Sequence, residues 1–105
     1  MINKENIIEL TIQANVLQFG EFKTKSGRVT PFFFNTGNYN NGYFISELGK
    51  FYASYINENI NEEFNVLYGP AYKGIPLCIT TAIALYNDYN KNIYFSYNRK
   101  ELKDH

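Results

Sequence analysis

The sequence predicts an α/β fold in which a parallel sheet is flanked by helices, with an amino-terminal helix and a β-hairpin preceding it. A β-prone run at residues 64–68, a long apolar segment at 75–86 and a second β-prone run at 93–97 form a strand–helix–strand unit. At this length the two strands of such a unit are parallel. Aromatic residues make up 18% of the chain, all Phe and Tyr, which favours a sheet.

Length, charge and cysteine content limit the class of protein. The 105 residues suit one domain, and the formal net charge is zero, so any basic binding site must be local. Cys78 is the single cysteine, which excludes an intrachain disulfide and fits a reducing compartment; we expect it to be buried. The sequence begins without a signal-peptide pattern, and no apolar run approaches membrane-spanning length, so a cytoplasmic protein is expected.

The first elements are predicted from apolar spacing and turn residues. Residues 4–18 carry apolar side chains near helical spacing, and Phe19-Gly20 is expected to end that helix. A short strand at 21–24, a turn at 25–28 and a returning strand at 29–35 predict a β-hairpin.

Pro31 is expected to mark an irregularity in the returning strand of this hairpin. Phenylalanines at 32–34 are unusual in a half-buried strand, because side-chain alternation sends at least one ring to the polar face. Plain core packing is an alternative explanation for them, and at least one ring is expected in the core.

Residues 43–59 give the clearest amphipathic helix of the chain. Its apolar stripe consists of Phe44, Ile45, Leu48, Phe51, Tyr52, Tyr55 and Ile56. The stripe is expected to pack on a face of the sheet.

Residues 65–76 combine a strand, a turn with glycines and one lysine, and the start of a helix. Gly69 and Pro70 end the strand, Gly74 permits close backbone approach, and Pro76 suits the first turn of a helix. Free N–H groups and the positive dipole end of that helix would favour phosphate, with Lys73 adding a point charge. An ordinary strand–helix junction would have much of the same pattern. The helix itself is apolar almost all round, so burial on more than one side is expected.

The last residues, 98–105, follow the second strand and contain Arg99, Lys100, Lys103 and His105. Ligands of parallel α/β sheets bind beyond the carboxyl ends of the strands. Arg99 and Lys100 are therefore expected near Lys73. The alternative is a solvated charged terminus.

Four blocks in this order resemble the orotate phosphoribosyltransferases, which belong to the type I phosphoribosyltransferases. They are residues 19–28, 31–35, 68–76 and 98–105. The resemblance implies a phosphoribosyltransferase-like parallel sheet. Residues 1–40 would form the amino-terminal helix and a β-hairpin hood over orotate, and residues 41–105 the first part of the α/β core, ending in a mobile catalytic loop.

The resemblance implies transfer of the phosphoribosyl group from 5-phosphoribosyl 1-pyrophosphate to orotate with Mg²⁺, giving orotidine 5′-monophosphate and pyrophosphate. It also implies a homodimer with active sites shared between subunits. The family continues into a Thr/Gly-rich loop for the ribose 5-phosphate, which this sequence lacks. We therefore expect the chain to correspond to the amino-terminal half of the enzyme, and by itself to be inactive and prone to aggregation.

The resemblance also implies roles for individual residues. Lys25, Tyr72, Lys73, Arg99, Lys100, Lys103 and His105 would bind the phosphoribosyl donor, Phe33 and Phe34 would hold orotate, and Lys103 and His105 would be catalytic. The family has a cis peptide at the position of Ala71-Tyr72. His105 could be partly protonated near neutral pH and so serve as a cation or proton donor.

Two other functions are compatible with the residues. One is a phosphoribosyltransferase for another base, because a fold does not fix a substrate. The other is a non-catalytic nucleotide- or RNA-binding module, in which aromatic rings and neighbouring cations bind single strands.

Overall fold

The computed structural model of the protein describes residues 4–14, 17–23, 29–34 and 39–102. Its elements in chain order are α1 (Lys4–Gln13), β1 (Leu17–Lys23), β2 (Val29–Phe34), α2 (Gly42–Asn59), β3 (Val66–Gly69), α3 (Gly74–Tyr89) and β4 (Tyr94–Tyr97). They form two sheets of two strands each, one from β1 and β2 and the other from β3 and β4. Within these ranges, none of the helices has the length and apolar character needed to cross a membrane.

The predicted β-hairpin is confirmed, with its first strand longer than expected. β1 and β2 are antiparallel, and their register shifts between Phe19 and Phe22. Pro31 lies opposite that shift, which is where a residue without an N–H group is tolerated in a sheet.

The predicted end of the first helix was wrong. α1 ends at Gln13, and residues 17–20, which we assigned to the helix and its end, belong to β1. Leu17 pairs with Phe34 and Phe19 with Phe32 across the hairpin. Residues 17–20 include residue types that favour strands, and in β1 their backbone pairs with β2 instead of adding one more turn to α1.

The predicted strand–helix–strand unit is confirmed. β3 and β4 are parallel, with Val66 opposite Tyr94 and Gly69 opposite Tyr97, and α3 connects them. α3 extends beyond the predicted end and stops at Asn90, whose φ of 55° is left-handed. The N–H of Asn90 donates to the carbonyls of Leu85 and Tyr86, which satisfies the helix end.

α2 has almost the predicted bounds but not the predicted partner. Its first turn is capped by Asn41, whose Oδ1 accepts a hydrogen bond from the N–H of Phe44 at 2.9 Å. α2 packs chiefly against α3 and not on a sheet face. The reason is Gly49, because a Cβ there would lie 2.5 Å from Thr80 Oγ1. The missing side chain lets α3 approach closely, and the Thr80 hydroxyl donates to the Ile45 carbonyl at 3.1 Å.

The core lies between α2, α3 and the parallel strands. Leu85 is fully buried beside Ala53 and Ala84, and Ile56, Phe64, Leu67, Tyr89 and Ile93 pack around them. Cys78 is buried as predicted. α3 contacts α2 as well as both parallel strands, which confirms burial on more than one side.

Candidate anion site at the carboxyl ends of the parallel strands

The candidate site is built where β3 and β4 end side by side. Gly69, the last residue of β3, pairs with Tyr97, the last residue of β4. The turn formed by residues 70–73 and the segment 98–102 therefore leave the sheet at the same edge. Below, these two stretches are called the turn and the tail.

The turn is folded tightly onto the first turn of α3. The N–H of Gly74 donates to the Pro70 carbonyl at 3.1 Å, and the N–H of Ile75 donates to the Tyr72 carbonyl at 3.2 Å. The Ala71-Tyr72 peptide is cis, as the family resemblance implied. A Cβ on Gly69 would lie 2.5 Å from the Gly74 carbonyl oxygen, so only glycine fits at this position.

The helix start differs from the prediction in one respect that matters for anion binding. We expected free N–H groups at the start of α3, but Gly74 and Ile75 donate within the turn, and Pro76 has no N–H. Lys73 stands at the N-cap position, and its side chain makes no capping hydrogen bond. Attraction for an anion at this point therefore depends on the exposed Lys73 ammonium and the helix dipole.

The tail is joined to the turn by side chains from both. Asn98 Oδ1 accepts a hydrogen bond from the Ala71 N–H at 2.6 Å. The Nζ of Lys100 lies 6.0 Å from the centroid of the Tyr72 ring, at the outer limit for a cation–π contact. The tail therefore lies against the turn, with Lys100 beside Tyr72, the residue next to Lys73. The proximity of Arg99 and Lys100 to Lys73 itself stays a prediction. Arg99, Lys100 and Lys73 are all exposed.

Tyr72 has a second connection to the tail through its hydroxyl group. A hydrogen bond with the Glu101 carboxylate is the main cause that raises the pKa of Tyr72 above its ordinary value of 10.0, and desolvation adds to it. A hydrogen bond with the Lys100 backbone acts in the opposite direction. The neutral hydroxyl is thus the form that the tail stabilises.

The substitution Glu101→Gln is expected to lower the pKa of Tyr72 toward 10.0. A neutral amide is a weaker acceptor for the Tyr72 hydroxyl than the carboxylate is, and it does not repel the phenolate by charge. The Tyr72–Glu101 interaction is fully present below pH 10.0 and is lost as the pH rises through the raised pKa. Carbon-13 NMR of the Tyr72 ring during an alkaline titration measures the shift. Glu58→Gln, on the exposed surface of α2, is the control and should leave that titration unchanged. An unchanged Tyr72 titration in Glu101→Gln would show that the carboxylate does not act on the hydroxyl.

Several predicted site residues cannot be placed relative to the turn. Lys25, Lys103 and His105 lie outside the described residues. The backbones of Phe33 and Phe34 pair with Gln18 and Leu17 in the hairpin, but the positions of their rings also lie outside the description. Their assigned roles remain predictions.

Sequence reasoning missed two residues of the site, Asn98 and Glu101. Both belong to the tail, yet neither was assigned a role, because an amide or a single acid among cations carries no pattern of its own. Position just past a parallel strand was the one signal available for Asn98.

The part of the chain that the structure covers offers no group of three or more His, Cys, Asp or Glu side chains that could hold a metal ion. These residues therefore do not fit a protein-built Mg²⁺ site. At the turn and the tail, the cations Lys73, Arg99 and Lys100 are of the type that binds an anion.

Curated relatives of this chain are orotate phosphoribosyltransferases. The chain is 54% identical over 102 residues to the enzyme of Clostridium acetobutylicum, covering 97% of this chain and 46% of that protein. It is 52% identical over 103 residues to the enzyme of Polynucleobacter asymbioticus, covering 98% of this chain and 46% of that protein. The chain thus spans about half the length of the curated relatives it matches. No protein-family model matches it.

Solved structures agree with this likeness. The orotate phosphoribosyltransferase of Francisella tularensis superposes with a TM-score of 0.82 at 40% identity, covering 90% of this chain and 46% of that chain. The UMP synthase of Leishmania donovani has a TM-score of 0.70 at 19% identity over 90% of this chain and 20% of that chain, which bears on the fold alone.

The fold and its relatives define the class: the chain carries an α/β fold of the type I phosphoribosyltransferase kind. Within that class it is homologous to the amino-terminal half of the orotate phosphoribosyltransferases. The family resemblance drawn from the four sequence blocks is confirmed.

Proposed function

We propose that this chain supplies the diphosphate-binding part of an orotate phosphoribosyltransferase active site. The polypeptide that contains it transfers the phosphoribosyl group from 5-phosphoribosyl 1-pyrophosphate to orotate, giving orotidine 5′-monophosphate and pyrophosphate. One observation carries the proposal: the turn and the tail are joined at the carboxyl ends of β3 and β4 and present Lys73, Arg99 and Lys100 at the surface. Relatives that match 97% and 98% of this chain are named for this activity.

The reaction needs cations at one end of the donor. As the bond between the anomeric carbon and the diphosphate oxygen breaks, its electron pair moves to the diphosphate. A ring nitrogen of orotate bonds to the carbon and gives up its proton to the diphosphate or to solvent. Negative charge therefore grows on the leaving group. Lys73 and Lys100 contribute point charges, and the Arg99 guanidinium can donate two parallel hydrogen bonds to neighbouring phosphate oxygens. Groups placed in advance for this charge are the most effective kind of transition-state stabilisation.

The remaining residues complete the proposal. Lys103 and His105, which follow the tail in the sequence, are assigned to catalysis, because the family resemblance implies a mobile loop whose closure over the donor would exclude water. Lys25 would contact the donor, and the rings of Phe33 and Phe34 would hold the flat base. These roles are supported by the family resemblance and by the position of the tail at the site.

Mg²⁺ is proposed to bind the site together with the diphosphate of the donor. The ion usually binds through substrate phosphates and one or two carboxylates and keeps several waters, so a dedicated protein cage is not required. No step described for the residues of this chain depends on it.

Assembly and location belong to the same proposal. A cytoplasmic homodimer that shares active sites between subunits is supported by the resemblance. Balanced charge, with ten basic and ten acidic residues, weighs against nucleic acid or an anionic membrane as a partner.

The test is a chimera that joins residues 1–105 to the remaining part of the Clostridium acetobutylicum relative. We expect it to consume 5-phosphoribosyl 1-pyrophosphate and release pyrophosphate in the presence of orotate, and not in the presence of a purine base. Orotidine 5′-monophosphate is quantified by chromatography. A cooperatively folded chimera that accepts a purine and rejects orotate would support the alternative substrate. One that binds oligonucleotides with steep salt dependence and turns over neither base would support the RNA-binding alternative.

A further inference from the structure

Asn98 lies directly after β4, and its side chain crosses to the turn that follows β3. Its Oδ1 accepts the Ala71 N–H at 2.6 Å, a short distance for an N–H···O hydrogen bond. The two residues are 27 positions apart in the sequence, so this bond closes a long loop that contains the whole of α3.

The Ala71 N–H differs from its neighbours in having a partner outside the turn. The N–H groups of Gly74 and Ile75 donate to the carbonyls of Pro70 and Tyr72, within the turn and the start of α3. The Ala71 N–H donates to Asn98, in a hydrogen bond that is exposed to solvent. Because water can replace an exposed acceptor, the contribution of this bond is to hold the turn beside the tail.

We propose that Asn98 is a positioning residue of the diphosphate site, which acts through Ala71 and does not itself touch the ligand. The hydrogen bond fixes the turn relative to the tail, so that Tyr72 and Lys73 meet the same anion as Arg99 and Lys100. The proposal rests on the proposed function, because it takes diphosphate as the ligand.

The chemistry of the side chain supports this role. An aspartate could accept the same hydrogen bond, but it would place a negative charge beside a polyanion. Asparagine is the residue of this shape that accepts the Ala71 N–H while remaining neutral.

Three variants, made in the chimera with the Clostridium acetobutylicum relative, test the proposal: Asn98→Ala, Asn98→Asp and, as a matched control, Ser96→Ala. The Ser96 hydroxyl donates to the Leu67 carbonyl at 3.5 Å. The control therefore removes a weaker side-chain hydrogen bond within β3 and β4, away from the turn. Nitrogen-15 NMR gives the hydrogen-exchange rate of the Ala71 amide and the Kd for inorganic pyrophosphate.

In Asn98→Ala, we expect the Ala71 amide to exchange about tenfold faster and the Kd for pyrophosphate to rise about tenfold, as loss of one hydrogen bond allows. Asn98→Asp should retain the slow exchange and still weaken pyrophosphate binding, because it keeps the acceptor and adds charge. Ser96→Ala should leave both quantities within about twofold of the wild type, the size of effect expected for a weak exposed bond.

Wild-type values of both quantities in Asn98→Ala would overturn the proposal, as would an equal rise of the Kd in Ser96→Ala. If the unsubstituted chimera does not bind pyrophosphate, the proposed function fails in its own right. Exchange of the Ala71 amide then tests only whether Asn98 holds the turn beside the tail. Faster exchange in Asn98→Ala but not in Ser96→Ala supports that contact, and unchanged exchange in Asn98→Ala overturns it.

Discussion

In the chimera with the Clostridium acetobutylicum relative, Lys73→Ala is expected to lower kcat/KM for 5-phosphoribosyl 1-pyrophosphate about a hundredfold, the usual effect of removing one group placed for transition-state charge. Lys73 stands at the N-cap of α3, exposed and without a side-chain capping bond, so its removal should change the free energy of unfolding by no more than about 0.5 kcal/mol. Steady-state kinetics and denaturant unfolding measure the two effects separately.

Lys91→Ala is the matched control for Lys73→Ala. It removes the same charge just past the other end of α3, a 16-residue helix about 24 Å long. Its kcat/KM should stay within about twofold of the unsubstituted chimera, because charges this far apart across water are screened. Equal losses in both variants, or a Lys73→Ala loss that follows stability alone, would contradict the role given to Lys73.

The largest expected effect on stability comes from Gly69→Ala. A Cβ at this position would lie 2.5 Å from the Gly74 carbonyl oxygen and 2.6 Å from the Cβ of Cys78, and the backbone and the buried side chain have little room to yield. We expect a loss of about 3 kcal/mol, at the upper end of the usual range for overpacking. The same shift would displace the turn, so pyrophosphate binding should weaken as well.

Gly42→Ala is the control for Gly69→Ala, since a Cβ on Gly42 would meet nothing within 4 Å. Gly42 is the first residue of α2, and an alanine there should be neutral or slightly stabilising. Urea unfolding of both variants gives the comparison. Stability losses of similar size would show that the tight fit at Gly69 does not constrain the turn.

Local pattern was sufficient to predict most elements of this fold. The apolar spacing of α2, the hairpin with an irregularity at Pro31, and the strand–helix–strand order all follow from periodicity and from glycine and proline positions. The rule that ligands bind beyond the carboxyl ends of parallel strands correctly brought the tail to the turn.

Features that depend on long-range contacts were not predictable in this way. The end of α1 is decided by pairing of Leu17 with Phe34, which local helical spacing does not reveal. The packing of α2 on α3 depends on space at Gly49 beside Thr80, two residues from different helices. A single sequence does not show which distant residues will meet.

The site showed the same division between local and distant information. The positions of Lys73 and Lys100, each a few residues past a parallel strand, could be predicted from the order of the elements. The use of the first N–H groups of α3 within the turn, and the hydrogen bond from Ala71 to Asn98, depend on how the turn folds back on the helix. Because these N–H groups are already used, the attraction for an anion comes from side-chain cations and not from the free backbone donors that the sequence pattern predicted.

The central claim is that the turn and the tail form one diphosphate site, and a titration of the nitrogen-15-labelled chimera with inorganic pyrophosphate tests it most directly. The amides of Ala71, Tyr72 and Lys73 and those of residues 98–101 should shift together and give a single Kd, with sodium chloride of equal ionic strength producing no such change. Separate Kd values for the two stretches, or shifts no larger than those in α1, would contradict the claim.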